Sequence, residues 1–141
     1  MPNRERHFVD ANIPMYAAGA NHPLKEPCVL LLEAIVGGKL AAVTDVKVLQ
    51  EILHRYTSLG YRAKAVEVAE LFMAVIPEIL PVNQRDFLRA LQVHQQHPGL
   101  QARDSLHAGV MYNHGLRYIF SADRHLDLLP GITRIDPADW P

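Results

Sequence analysis

The sequence predicts an α/β fold, a three-layer α/β/α sandwich with a central parallel sheet. Two observations predict it. Short apolar runs of strand length alternate along the chain with longer segments that carry apolar residues at helical spacing. Strands separated by helices pair in parallel through right-handed crossovers, and the helices then cover both faces of the sheet. The chain shows no internal repeat and no linker, so residues 1–141 are expected to form a single domain.

Each expected element is bounded by residues that end strands or helices. Gly37-Gly38 can end a helix, because glycine takes the left-handed conformation there without penalty. Pro14 is expected in a loop after the first strand, while Asp45 and Asn83 are expected to cap the helices that follow them. The strands are expected within "RHFVD", "KLAAVT", "EILPV", "RYIFSA" and "ITRID". The helices are expected over residues 24–36, 45–59, 62–76, 84–97 and 102–115.

Composition and charge narrow the class of protein. Apolar residues make up 49% and charged residues 21% of the chain, as in ordinary folded soluble proteins. The net charge of −1 argues against a protein that coats nucleic acid, although a local basic patch is still allowed. Cys28 is the only cysteine, which fits a reducing compartment. The N-terminus lacks a signal peptide pattern and "CVLLLEAIVGG" is too short to span a bilayer, so a cytoplasmic protein is expected.

Four acidic residues from separate elements are expected near one edge of the sheet. Asp10 and Asp123 each follow a strand at its carboxyl end, where open parallel sheets bind their ligands. Asp104 lies in the first turn of its helix, and Glu51 lies within the helix after the second strand. Clustered carboxylates suit Mg²⁺ or Mn²⁺, and such an ion activates water and stabilises charge on phosphoryl oxygens. Hydrolysis of a phosphodiester is the reaction that this arrangement suits.

Each of these acids also has a purely structural interpretation. Asp10 can form an Asx turn, and Asp123 can cap the short turn "DRHLDLL". Glu51 lies off the apolar stripe of its helix, where a solvated pair with Arg55 is the simpler assignment. Asp104 is favourably placed near a helix N-terminus, yet its helix is apolar on several faces and is expected to be buried. The joint placement of the four residues, rather than any one of them, favours a metal site.

Three segments of the chain resemble the PIN domain, in particular the VapC-type toxin ribonucleases. They are "FVDANIPMYA", "LQEILHR" and "ARDSLHAGVMYNHGLRYIFSADRHLDLLPGITRI". The resemblance implies an α/β/α sandwich and an Mg²⁺- or Mn²⁺-dependent endoribonuclease, with Asp10, Glu51, Asp104 and Asp123 as its acidic cluster. Asp10, Asp104 and Asp123 would bind the metal, and Glu51 would complete the site or position the water.

The same resemblance implies accessory residues and partners. Asn12 occupies a polar position after the first acid, and Asp127 falls at an additional, less regular acidic position. A small antitoxin protein is expected to hold such a toxin inactive, and a homodimer is expected. Arg55, Arg103 and Arg124 are candidate contacts to RNA phosphates, with ordinary surface ion pairs as the alternative.

Three other functions are compared with the metal-dependent ribonuclease. Asp104, Ser105 and His107 contain the residue types of a hydrolase triad, but no G-x-S-x-G elbow is present, and His107 is expected to be packed or hydrogen-bonded rather than a base. A PIN-like binding or scaffold module with little catalysis is one alternative, although degenerate members usually lose acids. A DNA nuclease or a phosphatase that uses the same metal-bound acidic cluster is another alternative. Only substrate assays distinguish these enzymes from a ribonuclease.

Overall fold

Residues 4–141 are described here from a computed structural model. Within this range the chain forms five strands, six α-helices and two 3-10 helices. The strands are β1 (His7–Val9), β2 (Ala42–Asp45), β3 (Glu78–Leu80), β4 (Tyr118–Phe120) and β5 (Thr133–Ile135). The α-helices are α1 (Asn12–Ala18), α2 (Lys25–Val36), α3 (Val46–Ser58), α4 (Arg62–Val75), α5 (Gln84–Gln96) and α6 (Ala102–Asn113). The 3-10 helices are Arg124–Leu128 and Pro137–Asp139.

All neighbouring strands of the sheet run parallel, in the order β3-β2-β1-β4-β5. The first strand of the chain therefore lies in the middle of the sheet. Strands β2 and β3 lie on one side of β1, and the later strands β4 and β5 lie on the other side. The strand order therefore reverses between β1 and β4, where Val9 pairs with Phe120. In open parallel sheets this reversal point is where a crevice for ligands forms.

The sheet is covered on both faces, which confirms the predicted three-layer architecture. Every residue of β2 is buried, including Thr44 and Asp45. Successive side chains of a strand point to opposite faces, so both faces of β2 must be covered by other elements. Helix α3 packs on α4, and α5 packs on α6. Within residues 4–141, no helix has the length and apolar character needed to cross a membrane.

Two helix caps that the sequence predicts are present. Asp45 accepts a hydrogen bond from the Val48 amide at 2.8 Å and so begins α3. Asn83 accepts a hydrogen bond from the Asp86 amide, and the Asp86 carboxylate accepts one from the Asn83 amide in return. This reciprocal capping box fixes the start of α5. A Cβ atom on Gly109 of α6 would lie 2.5 Å from the Asp86 carbonyl oxygen, so glycine lets the two helices approach closely.

The loop expected after the first strand is wrong, because α1 occupies Asn12–Ala18. Pro14 lies in the first turn of this helix and is buried. Amide groups of a first turn have no partner within the helix, so proline costs no hydrogen bond there. Helix α1 therefore begins directly beyond β1, and it fixes the position of Asn12 next to Asp10.

Candidate metal centre

Asp10 lies at the carboxyl end of the central strand, where its carboxylate accepts two short hydrogen bonds and a longer one of 3.4 Å from Asn12 Nδ2. The Ala11 amide donates to Oδ1 at 2.8 Å, and the Ser121 hydroxyl donates to Oδ2 at 2.6 Å. Because β1 and β4 are paired in register, Asp10 and Ser121 follow adjacent strand ends. The Asp10 carboxyl is 6% exposed, and burial raises its pKa against the opposing effects of His107 and Ser121. Asp10 is thus a fixed, partly desolvated carboxylate at the reversal point of the sheet.

Ser121 connects the two strand ends into one network. Its hydroxyl oxygen accepts hydrogen bonds from Asn12 Nδ2 and from the Asp123 amide, both at 3.0 Å. Asn12 Oδ1 in turn accepts a hydrogen bond from the Ala122 amide at 3.2 Å. Sequence analysis missed Ser121, although a small hydroxyl residue directly after a buried strand and two residues before Asp123 is the signal that identifies it.

Asp104 is a buried carboxylate without a complete set of partners. It is 1% exposed, and within residues 4–141 its Oδ2 atom has no hydrogen-bond partner. Arg103 Nε lies 3.9 Å from the other oxygen. Burial, followed by the negative charges of Asp123 and Asp10, raises the pKa of Asp104 to about 6. A buried charge is costly unless it is paired, and a cation is one partner that would satisfy this carboxylate.

Asp123 caps the 3-10 helix Arg124–Leu128, as one interpretation of the sequence predicted. Its Oδ1 atom accepts a hydrogen bond from the His125 amide at 3.0 Å, and His125 Nδ1 lies 2.9 Å from the same oxygen. One ligand atom from each of Asp104, Asp123 and His125 lies within 4.8 Å of the others. Capping therefore does not remove Asp123 from the acidic cluster.

Glu51 reaches the cluster through a buried histidine. His107 Nε2 donates to Glu51 Oε1 at 2.8 Å, and His107 Nδ1 donates to Asp45 Oδ2 at 2.8 Å. Burial lowers the pKa of His107, but the two carboxylates outweigh it and raise that pKa well above the ordinary value. Because carboxylate oxygens only accept hydrogen bonds, both ring nitrogens donate and His107 is an imidazolium in this arrangement. One ligand atom from each of Asp10, Glu51 and His107 lies within 4.8 Å of the others. The prediction that His107 is hydrogen-bonded is confirmed, and Glu51 bonds to His107 where the sequence allowed a solvated pair with Arg55.

The four predicted acids converge at this edge of the sheet. Ligand atoms of Asp10 and Glu51 lie within 4.8 Å of one another, as do those of Asp104 and Asp123. The negative charges of Asp123 and Asp10 both contribute to the raised pKa of Asp104, so the two pairs are neighbours at this edge. Oxygen ligands in this number suit a divalent cation.

Comparison with known proteins places the fold in a family. A sequence profile of the PIN domain matches residues 7–132. The chain belongs to the PIN domain family. Ribonuclease VapC13 of Mycobacterium tuberculosis is 40% identical to this PIN domain over 128 residues, which cover 91% of the chain and 98% of the relative. The resemblance inferred from the three sequence segments is thereby confirmed.

Solved structures show the same fold at low sequence identity. The DNA-bound VapBC structure from Salmonella typhimurium superposes on this PIN domain with a TM-score of 0.72 at 15% identity, covering 96% of this chain and 99% of that one. A toxin–antitoxin complex from Klebsiella pneumoniae gives a TM-score of 0.66 at 13% identity, with 93% and 97% coverage.

An open groove of about 870 Å³ leads to the acidic cluster of the PIN domain. The groove is lined by polar and acidic residues of the cluster, namely Asp10, Asn12, Glu51 and Asp123, and by basic residues. The basic lining residues are Lys47, Arg55 and Arg103. A groove that combines clustered acids with nearby cations suits a phosphate-bearing polymer, whose backbone the cations contact while a metal neutralises the acids.

Two predicted residues lie apart from this groove. Arg124 is exposed on its 3-10 helix and does not belong to the groove lining in the described part of the chain. The Asp127 carboxylate accepts a hydrogen bond from Arg134 Nε at 2.9 Å on the surface. The structure brings neither side chain to the acidic cluster, so their accessory roles stay predictions.

Proposed function

We propose that this PIN domain is a metal-dependent endoribonuclease and the toxin of a type II toxin–antitoxin pair. One observation carries the proposal: Asp104 is buried with an unpaired carboxylate oxygen, beside the carboxylates of Asp10 and Asp123. A domain has no structural reason to bury such a group, whereas a bound cation supplies its partner. The 40% identity to a protein named a ribonuclease supports RNA as the substrate.

Three carboxylates would hold the ion. Asp10, Asp104 and Asp123 offer oxygen ligands, which favour Mg²⁺ or Mn²⁺ over softer metals. When bound, such an ion lowers the pKa of a water molecule and stabilises negative charge on phosphoryl oxygens. Ser121 and Asn12 keep Asp10 in one orientation, because both donate hydrogen bonds to its Oδ2 atom. Metal ligands that are fixed in this way bind more tightly than mobile ones.

Glu51 has a different role from the three ligands. Its carboxylate is hydrogen-bonded to His107 through Oε1, which leaves a second oxygen to accept a proton from the attacking water or to complete the site. Lys47, Arg55 and Arg103 of the groove contact phosphates of the RNA on either side of the scissile bond. Arg124 is exposed outside the groove lining, and a phosphate contact by this residue is part of the proposal only for a longer RNA that extends beyond the groove.

The proposal includes partners, location and domain organisation. A small antitoxin protein covers the groove and holds the enzyme inactive, as the similarity to toxin–antitoxin structures supports. The active form is a homodimer in the cytoplasm, where RNA and reduced cysteine are both found. Residues 1–141 form one PIN domain, which the single sheet within residues 4–141 supports.

The first test is cleavage of a mixed single-stranded RNA by purified protein free of antitoxin. We expect cleavage with Mg²⁺ or Mn²⁺, none with EDTA, and none with Asp10→Asn in either metal. Asp139→Asn is the matched control, because this acid is exposed at the far end of the chain and its loss should leave cleavage intact.

Failure has recognisable forms. A folded wild-type protein that cuts no RNA under either metal contradicts the ribonuclease and favours a binding module. Equal cleavage of single-stranded DNA identifies a less selective nuclease, and hydrolysis of a phosphate monoester alone identifies a phosphatase.

A further inference from the structure

We propose that Asp45 and His107 are positioning residues that hold Glu51 in the active site. The inference rests on the proposed nuclease function and adds to it a pair of residues that touch neither metal nor RNA. It follows from a continuous chain of hydrogen bonds from a strand end, through a buried ring, to a carboxylate in the groove.

The geometry of this chain leaves little freedom at any point. Asp45 is fully buried, and its two oxygens have separate partners, the Val48 amide at 2.8 Å and His107 Nδ1 at 2.8 Å. The imidazole is 1% exposed and its ring packs against Phe8, with 5.4 Å between ring centroids. With one nitrogen fixed by Asp45 and one face packed, the other nitrogen can point only toward Glu51.

Glu51 needs such support because of where it lies. It projects from α3 into an open groove, and its ligand atoms are within 4.8 Å of those of Asp10. Two carboxylates at this distance repel each other, and a free glutamate would turn toward solvent. Holding a glutamate in one rotamer also costs about 1–2 kcal/mol of conformational entropy. The bond from His107 supplies both the opposite charge and the fixed orientation before RNA arrives.

The position of the pair predicts which kinetic parameter depends on it. His107 contacts Glu51 and not the RNA, so its loss should lower kcat without raising KM. Both of its nitrogens are hydrogen-bonded to carboxylates, which leaves the three aspartates as the proposed metal ligands. Replacement of His107 should therefore not weaken Mn²⁺ binding to Asp10, Asp104 and Asp123.

A double-mutant cycle distinguishes positioning from general structural support. Single-turnover RNA cleavage with saturating Mn²⁺ is measured for wild type, His107→Gln, Glu51→Gln and the double variant. We expect His107→Gln to lower kcat by roughly 10- to 100-fold in the wild-type background, the range seen for residues that orient an active-site ligand. In the Glu51→Gln background it should cause no further loss, because the group that it holds is already gone.

The cycle also gives the result that would overturn the inference. If His107→Gln lowers cleavage by the same factor in both backgrounds, in step with a lower melting temperature, its role is structural only. An unchanged kcat in His107→Gln also overturns the inference that His107 positions Glu51. His97→Gln is the matched control, since this histidine lies at the end of α5 away from the groove, and it should leave kcat and KM unchanged.

Two further measurements keep the inference testable if His107→Gln does not fold. Asp45→Asn retains a good helix cap but loses the charge that fixes the imidazole, so it should also lower kcat and not KM. Imidazole N–H proton signals, read by NMR, need no cleavage at all. Both ring protons of wild type should be protected from exchange, and Glu51→Gln should shift the Nε2 proton while the Nδ1 proton stays in place.

These readouts separate the two proposals. A wild-type protein that cuts no RNA contradicts the nuclease, while the NMR signals still decide whether His107 holds Glu51. A wild-type protein that cuts RNA, with an Nε2 proton that is unaffected by Glu51→Gln, contradicts the positioning role and leaves the nuclease intact.

Discussion

Replacing Asp104 with asparagine should stabilise the metal-free protein and remove most of its response to metal. Burial and the charges of Asp123 and Asp10 raise the pKa of Asp104 to about 6, above the ordinary 3.8. Such a carboxyl is destabilising when ionised, and the penalty is complete above the folded pKa and disappears as the pH falls toward 4. A difference of about two pH units corresponds to about 3 kcal/mol at neutral pH.

Asparagine keeps the shape of the side chain and never ionises, so it should recover much of this penalty. We expect a gain of about 1–3 kcal/mol in the free energy of unfolding, because the buried amide of asparagine must still find hydrogen-bond partners and so recovers only part of the penalty. For a domain of this size that gain is an increase of roughly 3–9 °C in the melting temperature. Saturating metal at about 100 times its Kd should stabilise wild type by about 2.7 kcal/mol, and Asp104→Asn should lose most of this stabilisation.

Thermal unfolding followed by circular dichroism measures both effects. Each variant is melted near neutral pH and near pH 4, with EDTA and with Mn²⁺. The advantage of Asp104→Asn in EDTA should be present at neutral pH and nearly absent at the lower pH. Asp139→Asn, at an exposed acid, should melt like wild type throughout. A metal-free Asp104→Asn that melts below wild type at neutral pH, or one that keeps the full response to Mn²⁺, would refute the reasoning.

Three other outcomes are expected from the structure. Ser121→Ala removes the 2.6 Å hydrogen bond to Asp10 and should weaken Mn²⁺ binding by roughly 10- to 100-fold in calorimetric titrations; unchanged affinity would show that Asp10 needs no such support. Burial, with a contribution from Asp136, raises the pKa of the Cys28 thiol to about 12, so a thiol reagent at neutral pH should label this cysteine only after unfolding. Gly109→Ala should lower the free energy of unfolding by about 1–3 kcal/mol in urea titrations despite the better helix propensity of alanine, and a stability equal to wild type would contradict the close helix contact.

Sequence reasoning works well where one local rule decides the outcome. Alternating strand and helix patterns predict the parallel sheet, and parallel strands share one carboxyl edge, which brings Asp10 and Asp123 together. The apolar residues around Asp104 predict that its helix is buried, and the structure places this carboxylate at 1% exposure.

The features that the sequence did not predict depend on contacts between distant segments, or on a residue whose usual effect is absent at its particular position. The Asp45, His107 and Glu51 network joins three elements, and none of the three residues identifies the other two from its own surroundings. Glu51 lies off the apolar stripe of α3, which indicates exposure to solvent, but this side of the helix lines the groove and faces His107. Pro14 is expected in a loop, although its place in a first turn makes it compatible with α1.

The central position of β1 has a consequence for how this protein is made. Asp10 is synthesised well before the serine that holds it, which follows 111 positions later. Asp104 and Asp123 are also translated late, and β1 has no partner on one side until β4 exists. A nascent chain therefore cannot assemble the acidic cluster until β4 and the residues that follow it have been translated. A product that stops before β4 lacks both Ser121 and Asp123, so it cannot form the arrangement on which the proposed activity depends.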